Sequence, residues 1–186
     1  MATSKTGIAN LALTNLGQEL ISDITEDNDS ARTLNTMYDS VRDAALRMHP
    51  WNFAIKRETI AADPTKPKWK WANSFRVPSD FLRMIETEFH SPFEIEGNNI
   101  LSNETGALNI KYVARIEDPA QYDSLFVEVF AAMLAVQAVE RIAQSNAKKS
   151  SLERDLKVIL HRARSVDGQE NDFQVFVEDT WITAMR

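Results

Sequence analysis

Twenty-seven carboxylates and three histidines are the side chains of this 186-residue chain best suited to moving protons. Two carboxylates brought together by the fold could protonate a leaving group and activate water, as in glycoside hydrolysis. His49, His90 and His161 could act as acids, bases or metal ligands, but they are far apart and lack metal-ligand spacing. The chain has no cysteine, which removes disulfides, thiolate zinc sites and thiolate nucleophiles together and fits a reducing cytoplasm. No Gly-rich phosphate loop, His-Glu-x-x-His or Gly-x-Ser-x-Gly is present. The expectation is therefore no catalytic residue, no cofactor and no metal, with each histidine structural or solvated. A small carboxylate-based hydrolase or lysis factor stands as the alternative.

Three features suit binding better than catalysis. Trp51, Trp69 and Trp71 cluster with Phe53 and Phe75 in the middle of the chain. They fit either sheet core or a protein interface, where Trp is enriched. Base stacking is disfavoured here by the acidic balance and the sparse interleaved cations. Arg154, Lys157, His161 and Arg164 share one helical face, read either as a solvated side or as a patch for DNA or a partner, such as the acidic face of a neighbouring subunit. The segment from Asp167 to Arg186 holds Phe173, Phe176, Val177, Trp181, Ile182 and Met185 without helical periodicity. That is more apolar surface than a solvated tail should carry, so it is expected to dock on another chain.

The net charge of −6 and pI near 5.1 argue against gripping nucleic acid over a broad surface, which needs cations to neutralise phosphates. An acidic surface can instead repel a passing duplex and keep it from sticking. A DNA-binding regulator is also disfavoured, because no helix-turn-helix with basic recognition residues is visible. The longest apolar run, Val129 to Val136, falls far short of the roughly 20 residues a bilayer span needs. The stretch from Ile8 to Leu16 is too short and polar for a signal sequence, so a soluble protein is expected.

The elements that must position these residues are legible from periodicity. Ile8, Leu11, Ala12 and Leu16 make one helical face, with Gly17 as its stop. Leu34, Tyr38, Val41 and Ala45 stripe a second helix, capped by Asp29 or Ser30 and ended by Pro50. From Trp51 to Arg115 the period changes to two, with a hairpin turn at Gly97-Asn98-Asn99. A mainly antiparallel sheet of about four or five strands is expected there. Asp118-Pro119 restarts helix, and Leu125 to Ile142 is apolar nearly all round, the pattern of a bundle's central helix. Leu152, Leu156, Ile159, Ala163 and Val166 form the seam of a last helix. The expected class is α+β: a helical bundle from residues 1–50 and 118–166, an inserted small antiparallel β domain at 51–117, and an extended C-terminal arm at 167–186.

Several segments in this order resemble the head–tail adaptor proteins of tailed bacteriophages, the tail tubular protein A family. They are Ala9-Asn10-x-Ala12-Leu13-x-x-Leu16-Gly17, the block from Tyr38 to Ala54, Pro78-Ser79-Asp80-Phe81-Leu82-Arg83, the helix from Phe126 onward, and Trp181 to Arg186. The resemblance spans nearly the whole chain. It implies a structural virion protein of the neck: a ring, typically of twelve copies, assembled in the host cytoplasm beneath the portal. Such a ring extends the DNA channel, is traversed during genome ejection, and offers a platform for the tail nozzle or other tail proteins. Twelve copies of a −6 chain would carry about −72, which suits a non-stick lumen. The family has no catalytic motif to carry over. Phe173, Phe176 and Trp181 are the expected portal anchors, and Arg154 and Lys157 the expected subunit contacts.

Overall fold

The computed structural model describes residues 4–88 and 90–170. Four helices and six strands follow in the order α1 (Lys5–Leu16), α2 (Asp29–Met48), β1 (Ile55–Ala61), β2 (Asn73–Arg76), β3 (Phe81–Thr87), β4 (Phe93–Glu96), β5 (Asn99–Ser102), β6 (Ala107–Ala114), α3 (Ser124–Ile142) and α4 (Asn146–Gln169). The class is α+β, with the β segment inserted between the second and third helices.

α3 packs against α1, α2 and α4, and it can do so because it is buried nearly all round. Ala131, Ala132, Ala135 and Ala138 are among its buried residues, and their small side chains let the neighbouring backbones approach. Aromatic rings fill the rest: Phe126 meets Trp51 edge-on at 5.3 Å, and Phe130 meets Tyr38 at 4.9 Å. Offset and edge contacts of this kind suit the ring quadrupoles better than face-to-face stacking.

The strands form two antiparallel three-stranded sheets, ordered β1-β6-β3 and β2-β5-β4, rather than one sheet of four or five strands. The extra count comes from short strands, since β2, β4 and β5 have four residues each. The sheets meet where Ala62 bridges Phe75 and Asp63 N–H donates to Ser74 O at 2.7 Å. β3 does not keep the simple two-faced alternation expected of it. Its register shifts twice, between Phe81 and Arg83 and between Met84 and Glu86. A bulge moves later side chains to the other face. Leu82, Met84 and Thr87 are therefore the buried ones.

Caps differ in detail from the sequence expectation. Asn28, not Asp29 or Ser30, caps α2, its Oδ1 accepting from Ala31 N–H at 2.7 Å. Asp118-Pro119 starts only a short 3-10 turn (Pro119–Gln121), and α3 begins after a second cap at Asp123. Gly17 ends α1 in the left-handed region at φ 68°, as the stop requires. One continuous apolar core runs from Ile8 through the sheets, including Phe75 and Tyr112, to Ala163.

The last helix is longer than its apolar seam. Leu152 and Ala163 are buried, but Val166 is 40% exposed and the next seam position is the buried Asp167. Four-residue spacing from Ala163 lands on Asp167, so the stripe ends on a carboxylate. Asp167 and Gly168 thus belong to α4, which corrects the expected arm at its start, and the rest of that segment, residues 171–186, lies outside the described residues.

Candidate functional site

Four places gather chemically active side chains. The first is the turn where α2 hands over to the sheet. Pro50 ends the helix, and Trp51 folds back so that its indole N–H donates to Ala45 O at 3.0 Å, satisfying one of the carbonyls a helix end leaves open. Asp167 reaches this turn from α4. Its carboxylate accepts from His49 Nε2 at 2.9 Å and from Asn52 N–H at 3.0 Å, while the Asn52 amide donates to Asp167 O at 2.8 Å. Arg164 adds a bond to Met48 O at 2.8 Å. His49 is therefore a structural tie between the two ends of the bundle segment.

The second is the exposed face of α4. Lys157, His161, Arg164, Leu160 and Ser165 line a shallow groove of about 490 Å³. Arg154 lies one turn earlier, its Nε donating to Ser150 O at 3.2 Å. The bare feature here is Val158, 71% exposed, with Arg154, Asp155, His161 and Arg162 at the three- and four-residue positions around it. The expected basic face is thus solvent-facing, with an exposed valine at its edge that the charge pattern alone did not reveal.

The third is a carboxylate convergence on the β1-β6-β3 sheet. The Tyr112 hydroxyl lies 3.0 Å from Glu58 Oε2 and 2.9 Å from Asp80 Oδ1, and Lys56 Nζ donates to Asp80 Oδ2 at 2.6 Å. Burial opposes ionisation of Asp80, but the bonds from Lys56 and Tyr112 prevail and hold it below the ordinary carboxylate range. Burial and both carboxylates drive the Tyr112 pKa upward, so it stays a neutral donor. A glycosidase acid needs the opposite shift, toward a proton held at neutral pH. This arrangement is a lysine-tied brace across the three strands.

The fourth is the loop between β1 and β2. Trp69 and Trp71 share this loop, but Trp51 lies apart from them in the core. Trp51 and Phe75 are fully buried in the core, and Trp71 is half-buried. Trp69 is 77% exposed and stands among Lys66, Lys68, Lys70 and Arg76. The sequence reading sets base stacking on these rings aside because it weighs the net acidity of all residues. The string Lys66-Pro67-Lys68-Trp69-Lys70-Trp71 itself was the available signal.

Among the described residues, no three His, Asp or Glu side chains are grouped to hold a metal ion. None of their helices is long and apolar enough to cross a membrane. Phe173, Phe176 and Trp181 lie outside the described residues. No family model matches the chain, and no curated protein matches it.

Proposed function

We propose that this chain is a structural subunit of a phage head-to-tail adaptor ring, not an enzyme. It would bind the portal, extend the DNA channel and give tail proteins a platform. The observation that carries the reading is the exposed face of α4, where Arg154, Lys157, His161 and Arg164 line one side and the exposed Val158 lies beside them, on a chain of net charge −6. A basic face with an exposed valine at its edge, beside abundant carboxylates, suits a heterologous contact between identical copies, and such a contact makes a ring where the rotation between copies closes. The rigid tie of α4 to the turn at His49–Asn52 supports it further, because it gives any segment after Gln169 a fixed root for docking. In a complete ring the acidic remainder would keep the channel from holding DNA. Localisation in the virion neck follows from the same reading.

The test is direct. Mass measurement and negative-stain imaging of the pure protein, with and without the portal of its phage, should give a closed ring at least in the presence of portal. A monomer that ignores portal under all salt conditions sinks the proposal.

A further inference from the structure

We infer that the loop between β1 and β2 is a binding site for single-stranded nucleic acid, with Trp69 stacking on a base and Lys66, Lys68 and Arg76 holding the flanking phosphates. The inference stands apart from the adaptor reading, which assigns no grip on nucleic acid to any residue.

The loop is built to hold an indole in water. Trp71 N–H donates to Trp69 O at 2.9 Å, which fixes the turn immediately after the exposed ring. Glu94, on the edge strand β4, accepts from both Trp71 Nε1 at 2.8 Å and Lys70 Nζ at 2.6 Å. Those two bonds keep the Glu94 carboxyl below its usual range. Lys70 sits at φ 70°, a left-handed conformation that its side chain disfavours, and the Glu94 bond holds it there. Pro67 stiffens the approach from the other side. Trp69 is thereby presented outward on a pinned loop, beside an open groove of about 560 Å³.

The charge around it is the reverse of the chain's. Residues 63–76 hold Lys66, Lys68, Lys70 and Arg76 against Asp63 alone. Lys70 is used by Glu94, while Lys66, Lys68 and Arg76 are exposed and make no ion pair among the described residues. Asp63, Glu94 and Glu96 also line the groove; with Glu94 paired to Lys70, the cations Lys66, Lys68 and Arg76 outnumber the remaining two acids there. An anion is therefore the fitting ligand.

Between anions, the surface favours nucleic acid over an acidic protein. A stable protein interface needs an apolar centre excluded from water. Among the described residues Trp69, at 77%, is the most exposed large apolar side chain, and the other two near it, Phe93 and Ile95 on β4, are 36% and 43% exposed and do not line the groove. One accessible π-face amid unpaired cations is what non-sequence-specific single-strand binding requires. A duplex keeps its bases stacked and would use only the phosphate contacts.

The site lies clear of the α4 root. The tie at His49–Asn52 precedes β1 and the loop follows it, so seven residues of strand, about 23 Å, separate them. Both can be engaged at once.

The experiment is fluorescence anisotropy of a labelled short single-stranded oligonucleotide, with full-length protein at low salt. Binding is expected, weaker for the duplex, and falling with salt at a slope near −0.7 for each phosphate contacted. Trp69→Ala should weaken it by at least about fivefold, whereas Trp69→Phe should retain most of it. Lys66→Glu with Lys68→Glu should abolish it. All of these side chains are exposed, so thermal unfolding of the variants should match the parent and separates lost binding from lost fold. Absence of binding overturns the inference, as does binding that ignores both sets of substitutions. Displacement of the oligonucleotide by poly-glutamate or by anionic vesicles at equal charge concentration would reassign the loop to acidic peptides or to a lipid surface and overturn it equally.

Discussion

Asp167 hydrogen-bonds His49 across 118 residues of sequence, at 2.9 Å, and so joins the end of the last helix to the end of the second. The same carboxylate accepts from Asn52 N–H, so one side chain holds the turn from both sides. Asp167→Ala leaves a backbone donor and an imidazole without their acceptor in a half-buried place. Hydrogen bonds to charged groups of this kind are each worth about 1.5–3 kcal/mol. Urea unfolding should show a loss of that order, and Asp167→Asn, which keeps an acceptor for Asn52, should lose less. Equal midpoints for all three proteins would mean that the tie contributes nothing.

Trp51 is the other half of this joint. It is fully buried, meets Phe126 edge-on, and satisfies Ala45 O. Trp51→Ala should cost about 3–5 kcal/mol, the range for emptying a large aromatic site. Trp51→Phe keeps most of the packing but abandons the carbonyl, and should cost about 1–3 kcal/mol. A phenylalanine variant as stable as the parent would show that water replaces the indole N–H there.

These two residues mark where the sequence was legible and where it was not. Pro50 and the change of period announced the hand-over from helix to strand, because local backbone geometry dictates both. All four helices and the Gly97 hairpin were readable for the same reason. Asp167 was not, since a polar residue next to a glycine looks like the end of a helix, and only its distant partners explain its burial. The two-sheet split escaped too. It depends on which strands pair across long loops, and alternation within a strand carries no information about its neighbour. The exposure of Val158 and of Trp69 was not legible either, since neither a charged helical face nor an aromatic run tells which of its side chains meets water.

The pH dependence has a definite sign at both ends. Asp80 has a depressed pKa in the fold, held down by Lys56 and Tyr112 against burial. Its stabilisation is present above the unfolded value near 3.9 and is lost as pH falls through the folded value. Asp80→Asn should therefore make the acid limb of a stability–pH curve shallower. Tyr122, pushed up to about 12 by burial, donates to Ile116 O at 2.9 Å. Its contribution is present below about pH 10 and is lost as pH rises toward the folded value. Tyr122→Phe should flatten the alkaline limb, and an unchanged limb would place the loss elsewhere.

Ring formation through the α4 face carries a charge signature. Arg154 and Lys157 are exposed, and the acidic residues of a neighbouring copy are their expected partners. Exposed pairs are screened within about 10 Å at 0.1 M salt, so assembly should weaken as salt rises. Arg154→Glu with Lys157→Glu should shift sedimentation from ring to monomer. Val158→Ala tests the exposed valine separately, and its effect should persist at high salt. Reversed charges with intact rings would count against the α4 face as the contact.

The final prediction concerns the segment that follows α4. Residues 171–186 carry Phe173, Phe176, Val177, Trp181, Ile182 and Met185 and lie outside the described residues, among which a continuous apolar core already runs from Ile8 to Ala163. Asp167 must remain for its bonds to His49 and Asn52, as must Glu170, whose Oε2 lies 3.3 Å from the Asn52 amide. A chain ending at residue 170 should therefore fold with unchanged thermal stability. A buried aromatic anchor is worth about 2 kcal/mol or more at an interface, and each subunit of a ring repeats the contact. Portal binding by the truncated chain should fall below detection in sedimentation, while ring formation through α4 survives. Substituting Phe173, Phe176 and Trp181 with alanine in the full chain should reproduce that loss. If the truncated chain unfolds, the segment belongs to the subunit's own core. If it still binds portal with the affinity of the full chain, docking resides elsewhere on the subunit.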